Sequence, residues 1–333
     1  MGSARTNEIV VIGAGVSGLS CAIRLLEASF SVRLLARAVA PHITSSVAAA
    51  VWYPYMAGPR DKVTAWGAAT YRTLHDMARA GVPGVSVIPY VELIQPGGGE
   101  DANATPWWAT MIPGARPAAA HELPTGYRAG WVIDAPVTDT SVYMPWLMDR
   151  ASALGAVIEQ RDVTSLDELR APRRIIVNCT GLGARELVGD DAVYPIQGQV
   201  VRVERPPGIT RGFSDDHHPR GVTYLIPRTH DCILGGTSRK GEWTVEPDES
   251  VTRSILDACR RLEPRLADAR VLGVRVGLRP GRDAVRLERR PLGDGCHVIH
   301  NYGHGGAGFT LSWGCADEVR DLVMACEHLS TTG

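Results

Sequence analysis

A segment near the C-terminus, VIHNYGHGGAGFTLSWGCA at residues 298–316, has the residue types and spacing expected where a ligand contacts the backbone. It contains five glycines and two histidines, and it runs into a stretch with helical character. Glycines remove side chains so that a ligand can approach the main chain, and amides at a helix N-terminus can donate hydrogen bonds to its oxygens. The segment therefore predicts that a bound group approaches its backbone closely.

A second glycine cluster stands near the N-terminus, in NEIVVIGAGVSGLSCAIRLLEASFSVRLLAR at residues 7–37. A continuous apolar run, a glycine turn, apolar residues at helical spacing and a second apolar run predict a βαβ unit. Gly13, Gly15 and Gly18 match the dinucleotide fingerprint, in which glycines make the turn, admit a pyrophosphate and let helix and strand pack closely. A glycine turn that binds nothing is the alternative, and the strand-turn-helix context disfavours it.

The identity of the dinucleotide depends on the end of the second predicted strand. An acidic residue there usually binds a ribose hydroxyl, but the chain has no Asp or Glu between Glu27 and Asp61. Arg33 and Arg37 lie in this region instead, and arginines can accommodate the 2′-phosphate of NADP. One interpretation is therefore an NADP-dependent reductase. The other is that Arg37 contacts the pyrophosphate or adenine edge of the cofactor, and the fingerprint alone does not choose.

The composition excludes several classes of partner. With 35 Lys+Arg, 36 Asp+Glu and a formal net charge of −1, the chain predicts neither nucleic-acid binding nor a polybasic membrane surface. Its seven cysteines are scattered without CxxC spacing, and it has no signal peptide or apolar run of membrane length. We therefore expect a cytoplasmic protein with reduced thiols, no metal site and a small-molecule partner.

The 333-residue length and 44% hydrophobic content predict a substantial core and either two domains or one large α/β unit. Residues 57–144, rich in Pro, Gly and Trp, predict loops and an antiparallel excursion, whereas residues 147–169 predict a helix followed by a strand. Residues 198–240 alternate apolar and polar side chains as half-buried antiparallel strands do, and residues 250–266 predict an amphipathic helix.

The C-terminal glycine segment resembles, along its whole length, the signature segment of the D-amino-acid oxidase family, FAD-dependent flavoproteins that include D-aspartate oxidase. Other segments resemble the same family in the same order, so that the resemblance spans nearly the full chain. These segments are TSSVAAAVWYPY, IIVNCTGLGA, PIQGQVVRVE, YLIPR, LGGTSRKGEW and GLRPGRDAVRLER.

The resemblance implies an α/β fold with a discontinuous, Rossmann-like FAD-binding domain and a second α+β substrate domain on a mostly antiparallel sheet. The FAD-binding domain is expected at residues 1–57, 145–198 and 290–333, and the substrate-binding domain at residues 58–144 and 199–289. The family's cofactor contacts fall, by position, on Gly13, Gly15, Val16, Ser17, Gly18, Arg37, Thr44, Ser45, Val163, Gly305, Gly306, Gly308, Phe309 and Thr310. The chain departs from the family at 36–38, where Ala-Arg-Ala replaces an acid.

The substrate side chains implied by the resemblance centre on Arg279 of GLRPG, a planar fork suited to a carboxylate. Tyr224 supports that carboxylate, Tyr55 lines the pocket and Gly306 contributes backbone. Ser238 leaves room where some relatives have a larger side chain. D-aspartate oxidases have an arginine at that position, but here Arg239 comes one residue later, and on a strand that points to the opposite face. Neutral D-amino acids are therefore favoured over D-aspartate.

The implied reaction is hydride transfer from Cα of a D-amino acid to flavin N5, with dioxygen as the acceptor and a 2-oxo acid, ammonia and hydrogen peroxide as products. No side chain is expected to act as a catalytic acid or base, and His300 and His304 are expected to pack in the core. A homodimer is one expected form of the protein. D-aspartate oxidase and glycine oxidase are the near alternatives, and an NADP-dependent reductase or a non-catalytic flavin-binding protein are the distant ones.

Overall fold

The computed structural model describes residues 8–55, 57–95, 105–217 and 222–331, with side chains described as far as residue 327. A six-stranded sheet forms one layer in the order β14-β15-β7-β1-β2-β6, and every neighbouring pair is parallel except β14 with β15. Its strands are β1 (Glu8–Ile12), β2 (Ser31–Ala36), β6 (Val157–Gln160), β7 (Ile175–Asn178), β14 (Arg286–Gly293) and β15 (Cys296–Tyr302).

A second sheet has the order β12-β8-β11-β10-β9-β3-β5-β4, and β13 pairs with β8. All of its pairs are antiparallel except β3 with β9. Its strands are β3 (Val85–Ile94), β4 (Arg116–Pro117), β5 (Ala129–Thr138), β8 (Tyr194–Glu204), β9 (Gly212–Asp215), β10 (Thr223–Pro227), β11 (Asp231–Gly235), β12 (Arg239–Lys240) and β13 (Val271–Gly281). The two sheets confirm the predicted fold class.

The helices of the described residues are α1 (Val16–Glu27), α2 (Arg60–Arg79), α3 (Thr140–Ala153), α4 (Ala184–Val188), α5 (Glu249–Leu262) and α6 (Gly308–Thr331). Helix α6 packs against both α1 and α2, and α5 covers one face of the second sheet. Within the described part of the chain, no helix has the length and apolar character needed to cross a membrane.

Helix α2 corrects the sequence prediction, which had only loops and strands at residues 57–144. Its buried face combines large apolar side chains such as Val63 and Leu74 with Gly67 and Thr70, which are small or polar. This face is buried because it packs on α6, yet its mixed composition gives no continuous apolar stripe in the sequence. The predicted helix and strand at residues 147–169 and the amphipathic helix α5 are confirmed.

The domain division stays a prediction, but two of its boundaries fall inside strands. The boundary at residue 198 cuts β8, which belongs wholly to the second sheet, and the boundary at residue 290 cuts β14, which belongs wholly to the first. Both strands continue through the boundary because their partners, β13 and β15, are long. The chain passes from the first sheet to the second at about residue 194 and returns to the first sheet at about residue 286.

Gly314 is the point at which helices α6 and α2 cross. Its amide donates a hydrogen bond to the Thr70 hydroxyl at 2.9 Å, and an added Cβ would lie 2.7 Å from the carbonyl carbon of Trp66 and closer still to other atoms of that residue's backbone. Since these Trp66 atoms are main chain on a packed helix, they cannot move aside without separating the helices.

We predict that Gly314→Ala lowers the free energy of unfolding by about 1–3 kcal/mol, because overpacking of a helix crossing outweighs the usual gain from alanine in a helix. The midpoint of thermal or urea denaturation measures this change. An unchanged or higher midpoint would contradict the close crossing of α2 and α6.

Candidate functional site

One cavity of about 910 Å³ extends from the glycine turn after β1 to the second sheet. Its volume is near the upper end of the range of about 300–1,000 Å³ found for small-molecule sites. The lining comes from the carboxyl ends of β1, β2, β6 and β7, from the segment after β15, and from β8, β10 and β13. Ligands of open α/β sheets bind outside the carboxyl ends of the strands, so the cavity lies at the expected place.

The glycine turn after β1 has the shape that the fingerprint predicts. Gly13 has φ +106°, and a Cβ there would lie 2.6 Å from the carbonyl oxygen of Cys179. A Cβ on Gly18 would overlap the carbonyl oxygen of Gly13, so that α1 can pack on β1 only with glycine at this position. Helix α1 has no acidic residue in its first turn and no side-chain cap from Gly15. This turn fits a pyrophosphate, because its amides and helix N-terminus favour an anion.

Residues 44 and 45 approach the glycine turn from a short 3-10 turn after β2. The Ser45 hydroxyl accepts a hydrogen bond from the Val16 amide at 3.1 Å, and a Cβ on Gly15 would lie 3.2 Å from the same hydroxyl oxygen. Thr44 donates its hydroxyl proton to the carbonyl of Leu278 at 3.2 Å. The cavity is lined by both residues and by Val16 and Ser17, which brings these predicted cofactor contacts together.

The two arginines near the end of β2 have different surroundings. Arg33 pairs with Glu8 at 2.9 Å and with Glu159, and it does not line the cavity, whereas Arg37 is exposed and does line it. The neighbouring strand β6 is followed in the cavity wall by Arg161, Asp162, Val163 and Thr164. Of these only Val163 was predicted. Asp162 lines the cavity near the end of β2, where the amide of Arg161 donates to the carbonyl of Ala36 at 2.9 Å.

The C-terminal glycine segment lines the cavity through Gly305, Gly306, Gly308 and Phe309, as predicted from the resemblance. Residues 305–307 form a short 3-10 turn, and α6 begins at Gly308. Thr310 is different, because its hydroxyl accepts from the Tyr53 amide at 3.1 Å, donates to the Tyr53 carbonyl at 2.8 Å and is not part of the cavity lining. The Thr310 hydroxyl therefore bonds the main chain of Tyr53 and does not face the cavity, unlike the other predicted cofactor contacts of this segment.

Both histidines of the segment are buried and hydrogen-bonded to amides. Asn178 contacts Nδ1 of His300 at 3.3 Å, and Nε2 of His304 contacts Oδ1 of Asn301 at 3.0 Å. Burial lowers the pKa of each to about 4, with Arg286 adding to the effect on His300. Both rings are therefore neutral at pH 7, as packing residues would be.

Arg279, Tyr224 and Tyr55, the predicted substrate-binding side chains, all line this cavity. Nη1 of Arg279 donates to the carbonyl of Thr237 at 3.0 Å, and Arg279 also hydrogen-bonds Tyr224. Burial raises the pKa of the Tyr224 hydroxyl, and Arg279 opposes that rise. A planar guanidinium fixed by a carbonyl and a phenol is preorganised to bind a carboxylate.

Three glycines make room for these three side chains, and two of them were missed by the sequence analysis. An added Cβ on Gly198 would overlap the Arg279 guanidinium, and one on Gly235 would overlap the Tyr224 ring. A Cβ on Gly306 would lie 2.5 Å from Cδ1 of Tyr55. Gly198 and Gly235 sit in β8 and β11, where a strand glycine signals the close approach of another group.

Ser238 and Arg239 lie where β12 begins. Ser238 is half-buried and hydrogen-bonds the Tyr55 hydroxyl, but it is not part of the cavity lining. It therefore reaches the site through Tyr55, while Trp243 and Val245, which the sequence analysis did not predict, line the cavity directly. Arg239 is exposed and outside the lining, as expected for a residue on the opposite face.

The described residues contain no group of three or more His, Cys, Asp or Glu side chains that could hold a metal ion.

A family model described as FAD dependent oxidoreductase (DAO) matches residues 8–322. The chain is 46% identical over 316 residues to a D-amino-acid oxidase of Rubrobacter xylanophilus, covering 95% of each chain. It is 36% identical over 339 residues to D-aspartate oxidase of Homo sapiens, covering 98% of this chain and 97% of the relative.

Among solved structures, glycine oxidase from Geobacillus kaustophilus has the same fold, with a TM-score of 0.81 at 18% identity over 96% of this chain and 95% of that chain. The fold and the cavity define an FAD-dependent oxidoreductase. Within that class, the chain belongs to the D-amino-acid oxidase family. Its cofactor is FAD, and the glycine turn and the C-terminal segment fit that group.

The neutral histidines predict acid sensitivity. Each binds a proton below about pH 6.5 in the unfolded chain but only below about pH 4 in the folded protein, so their contribution is present above pH 6.5 and is lost as the pH falls toward 4. For each ring this loss is about 3 kcal/mol. We predict that His304→Gln, which can still donate to Asn301, makes the denaturation midpoint fall less steeply between pH 6.5 and 4.5.

The exposed His230 provides the control, since His230→Gln should reproduce the parent's pH dependence. Parallel curves for His304→Gln and the parent would show that this ring does not stay neutral in the folded protein.

Proposed function

We propose that this protein oxidises D-amino acids to imino acids, which hydrolyse to 2-oxo acids and ammonia, while dioxygen is reduced to hydrogen peroxide. The observation that carries the proposal is the placement of Arg279 and Tyr224 in the same cavity as the FAD-binding turn. A carboxylate-binding pair next to a flavin site fits an α-amino or α-hydroxy acid, and the identity to D-amino-acid oxidases favours the amino acid.

In this proposal Arg279 and Tyr224 bind the substrate carboxylate, and the bond from Arg279 to the Thr237 carbonyl holds the guanidinium in position. FAD supplies the hydride acceptor and passes the electrons to dioxygen. The side chains around the substrate contribute position and exclude water, and none is required as an acid or a base. His304 lines the cavity but is neutral and engaged with Asn301, in agreement with that role.

Stereochemistry follows from a fixed carboxylate. With the carboxylate held on one wall by Arg279, the two enantiomers of an amino acid exchange the positions of the Cα hydrogen and the side chain. Only one of them can turn its side chain toward the apolar lining of the cavity, which includes Val222 and Ile226, while directing Cα–H to the flavin. The relatives' preference supports the D-enantiomer.

D-aspartate oxidase and glycine oxidase are the near alternatives. D-aspartate needs a second cation, and the exposed Arg239 lies outside the cavity, which favours substrates without a second carboxylate. Glycine needs no side-chain space, whereas Trp243 and Val245 line the same cavity as Arg279 and offer apolar contact to a side chain. We therefore propose D-amino acids with neutral side chains as substrates in preference to D-aspartate and glycine.

The experiment that tests the proposal is spectroscopic. The purified protein should show an oxidised-flavin spectrum, and a D-amino acid added without oxygen should bleach it. Peroxide should then form when air is admitted. A spectrum that no D-amino acid bleaches would favour a non-catalytic flavin-binding protein. The homodimer and the cytoplasmic location stay predictions, which light scattering and cell fractionation test.

We predict that Arg279→Ala lowers kcat/KM for a neutral D-amino acid by roughly 30-fold to several thousand-fold with FAD still bound, since losing one partner of a buried charge pair costs about 2–5 kcal/mol. Arg279→Lys should recover part of this loss, because it keeps the charge without the planar fork. On the same strand Arg275 is exposed, and Arg275→Ala is the control. Full activity of Arg279→Ala would place the carboxylate elsewhere.

We also predict that Gly198→Ala raises KM by roughly tenfold or more, because the new methyl group displaces the Arg279 guanidinium without removing its charge. Steady-state kinetics with a neutral D-amino acid measure the effect, and the flavin absorbance of the purified variant should equal that of the parent. An unchanged KM would mean that Arg279 binds the substrate from a different rotamer.

A further inference from the structure

The first turn of α6 holds the main chain of Tyr53. The Tyr53 amide donates to the Thr310 hydroxyl at 3.1 Å, and the same hydroxyl donates to the Tyr53 carbonyl at 2.8 Å. Thr310 directly follows Phe309, which lines the cavity in the glycine segment that fits FAD. Both main-chain polar groups of Tyr53 are therefore fixed next to the cofactor-binding segment.

Two further elements hold the side chain of Tyr53. Its hydroxyl donates a hydrogen bond to the Glu92 carboxylate on β3. Its ring packs edge to face with Trp108 of the short 3-10 turn Trp107–Met111, with ring centroids 5.8 Å apart and planes at 70°, a favoured arrangement of aromatic pairs. Tyr53 lines the cavity, whereas Glu92 and Trp108 do not. The phenol therefore reaches from the cavity into the wall behind it.

These contacts oppose any movement of the Tyr53 ring. Rotation about χ1 would take the hydroxyl away from Glu92 and the ring away from Trp108, and a half-buried carboxylate that loses its donor costs free energy. The flanking side chains of Trp52 and Pro54 are buried, so the backbone is not free to shift either. Tyr53 is therefore a rigid part of the cavity wall.

Tyr53 also lies near the predicted substrate-binding side chains. Burial raises the pKa of the Tyr53, Tyr90 and Tyr224 hydroxyls. Tyr90 is among the groups that add to the rise at Tyr53, and Tyr224 among those that add to it at Tyr90, so the three phenols are successive neighbours. All three line the cavity that contains Arg279. A substrate whose carboxylate is bound by Arg279 and Tyr224 thus has the Tyr53 ring as a nearby wall.

We propose that Tyr53 is a specificity-determining residue whose rigid ring limits the size of the substrate side chain. This inference rests on the proposed D-amino-acid oxidation and refines it. Small neutral side chains such as that of D-alanine fit in front of the ring. The bicyclic side chain of D-tryptophan extends far enough to meet it, and a wall fixed by these contacts does not move aside at low cost.

The experiment compares D-alanine with D-tryptophan as substrates of the holoenzyme. Both side chains are neutral, so the ratio of kcat/KM for D-tryptophan to that for D-alanine reports on size without a change of charge. In Tyr53→Ala, which removes the ring, this ratio should rise roughly tenfold or more, because a single methylene group in a pocket already changes kcat/KM by about 10- to 200-fold. Tyr53→Leu removes less volume and should raise the ratio less, and it provides the same test if Tyr53→Ala does not fold.

Two variants serve as controls. Tyr53→Phe keeps the ring and should keep most of the parent's ratio. Tyr127 is half-buried, donates its hydroxyl proton to the Asp215 carboxylate and lies outside the cavity lining, so Tyr127→Ala removes a similar phenol elsewhere and should leave the ratio unchanged. Rates are expressed per bound flavin, measured by absorbance, so that a loss of FAD does not enter the comparison.

The failures of the two proposals are distinguishable. If Tyr53→Ala and Tyr53→Leu oxidise D-alanine with an unchanged or lower ratio, Tyr53 does not limit the side chain, although the oxidation of D-amino acids stands. If no D-amino acid bleaches the flavin of the parent, the proposed function itself is wrong. A rise in Tyr53→Phe equal to that in Tyr53→Ala would assign the effect to the hydroxyl, and an equal rise in Tyr127→Ala would assign it to general loosening, and either result would overturn the size limit.

Discussion

The cofactor site depends on how closely main chain packs against main chain at the carboxyl ends of β1 and β7. Gly13 touches the carbonyl of Cys179, and Gly18 touches the carbonyl of Gly13, so strand, turn and helix meet without any side chain between them. This closeness exposes the amides at the start of α1 to the cavity. A methyl group at either glycine would move the helix away and remove the shape that a pyrophosphate requires.

Hydrogen bonds between buried amides and histidines join that turn to the far end of the chain. The side-chain amide of Asn301 donates to Ser17 at 3.0 Å and to Cys21 at 3.2 Å, while its oxygen contacts His304. Because the His304 ring is buried and neutral, it completes this network without introducing a charge beside the cofactor site. The first and last segments thereby form one wall of the cavity.

Glycines also make close packing possible around Arg279 and Tyr224, on the second sheet. Arg279 on β13 and Tyr224 on β10 are large polar groups on strands that β8 and β11 separate. Each lies over a glycine of the strand next to it, Gly198 of β8 or Gly235 of β11. The glycines lower the floor of the cavity, so a guanidinium and a phenol fit below the space that remains for a substrate.

The sequence by itself determined the βαβ unit, the glycine segment before α6 and the family, because periodicity and short glycine motifs are local properties of the chain. Only the tertiary structure placed Asp162 in the cavity wall near the end of β2 and Gly198 beneath the Arg279 guanidinium. Each lies far in sequence from the groups it accompanies, and sheet pairing alone brings them together. Helix α2 was not predicted either, because its buried face is defined by its contact with α6 and not by a continuous apolar stripe in the sequence.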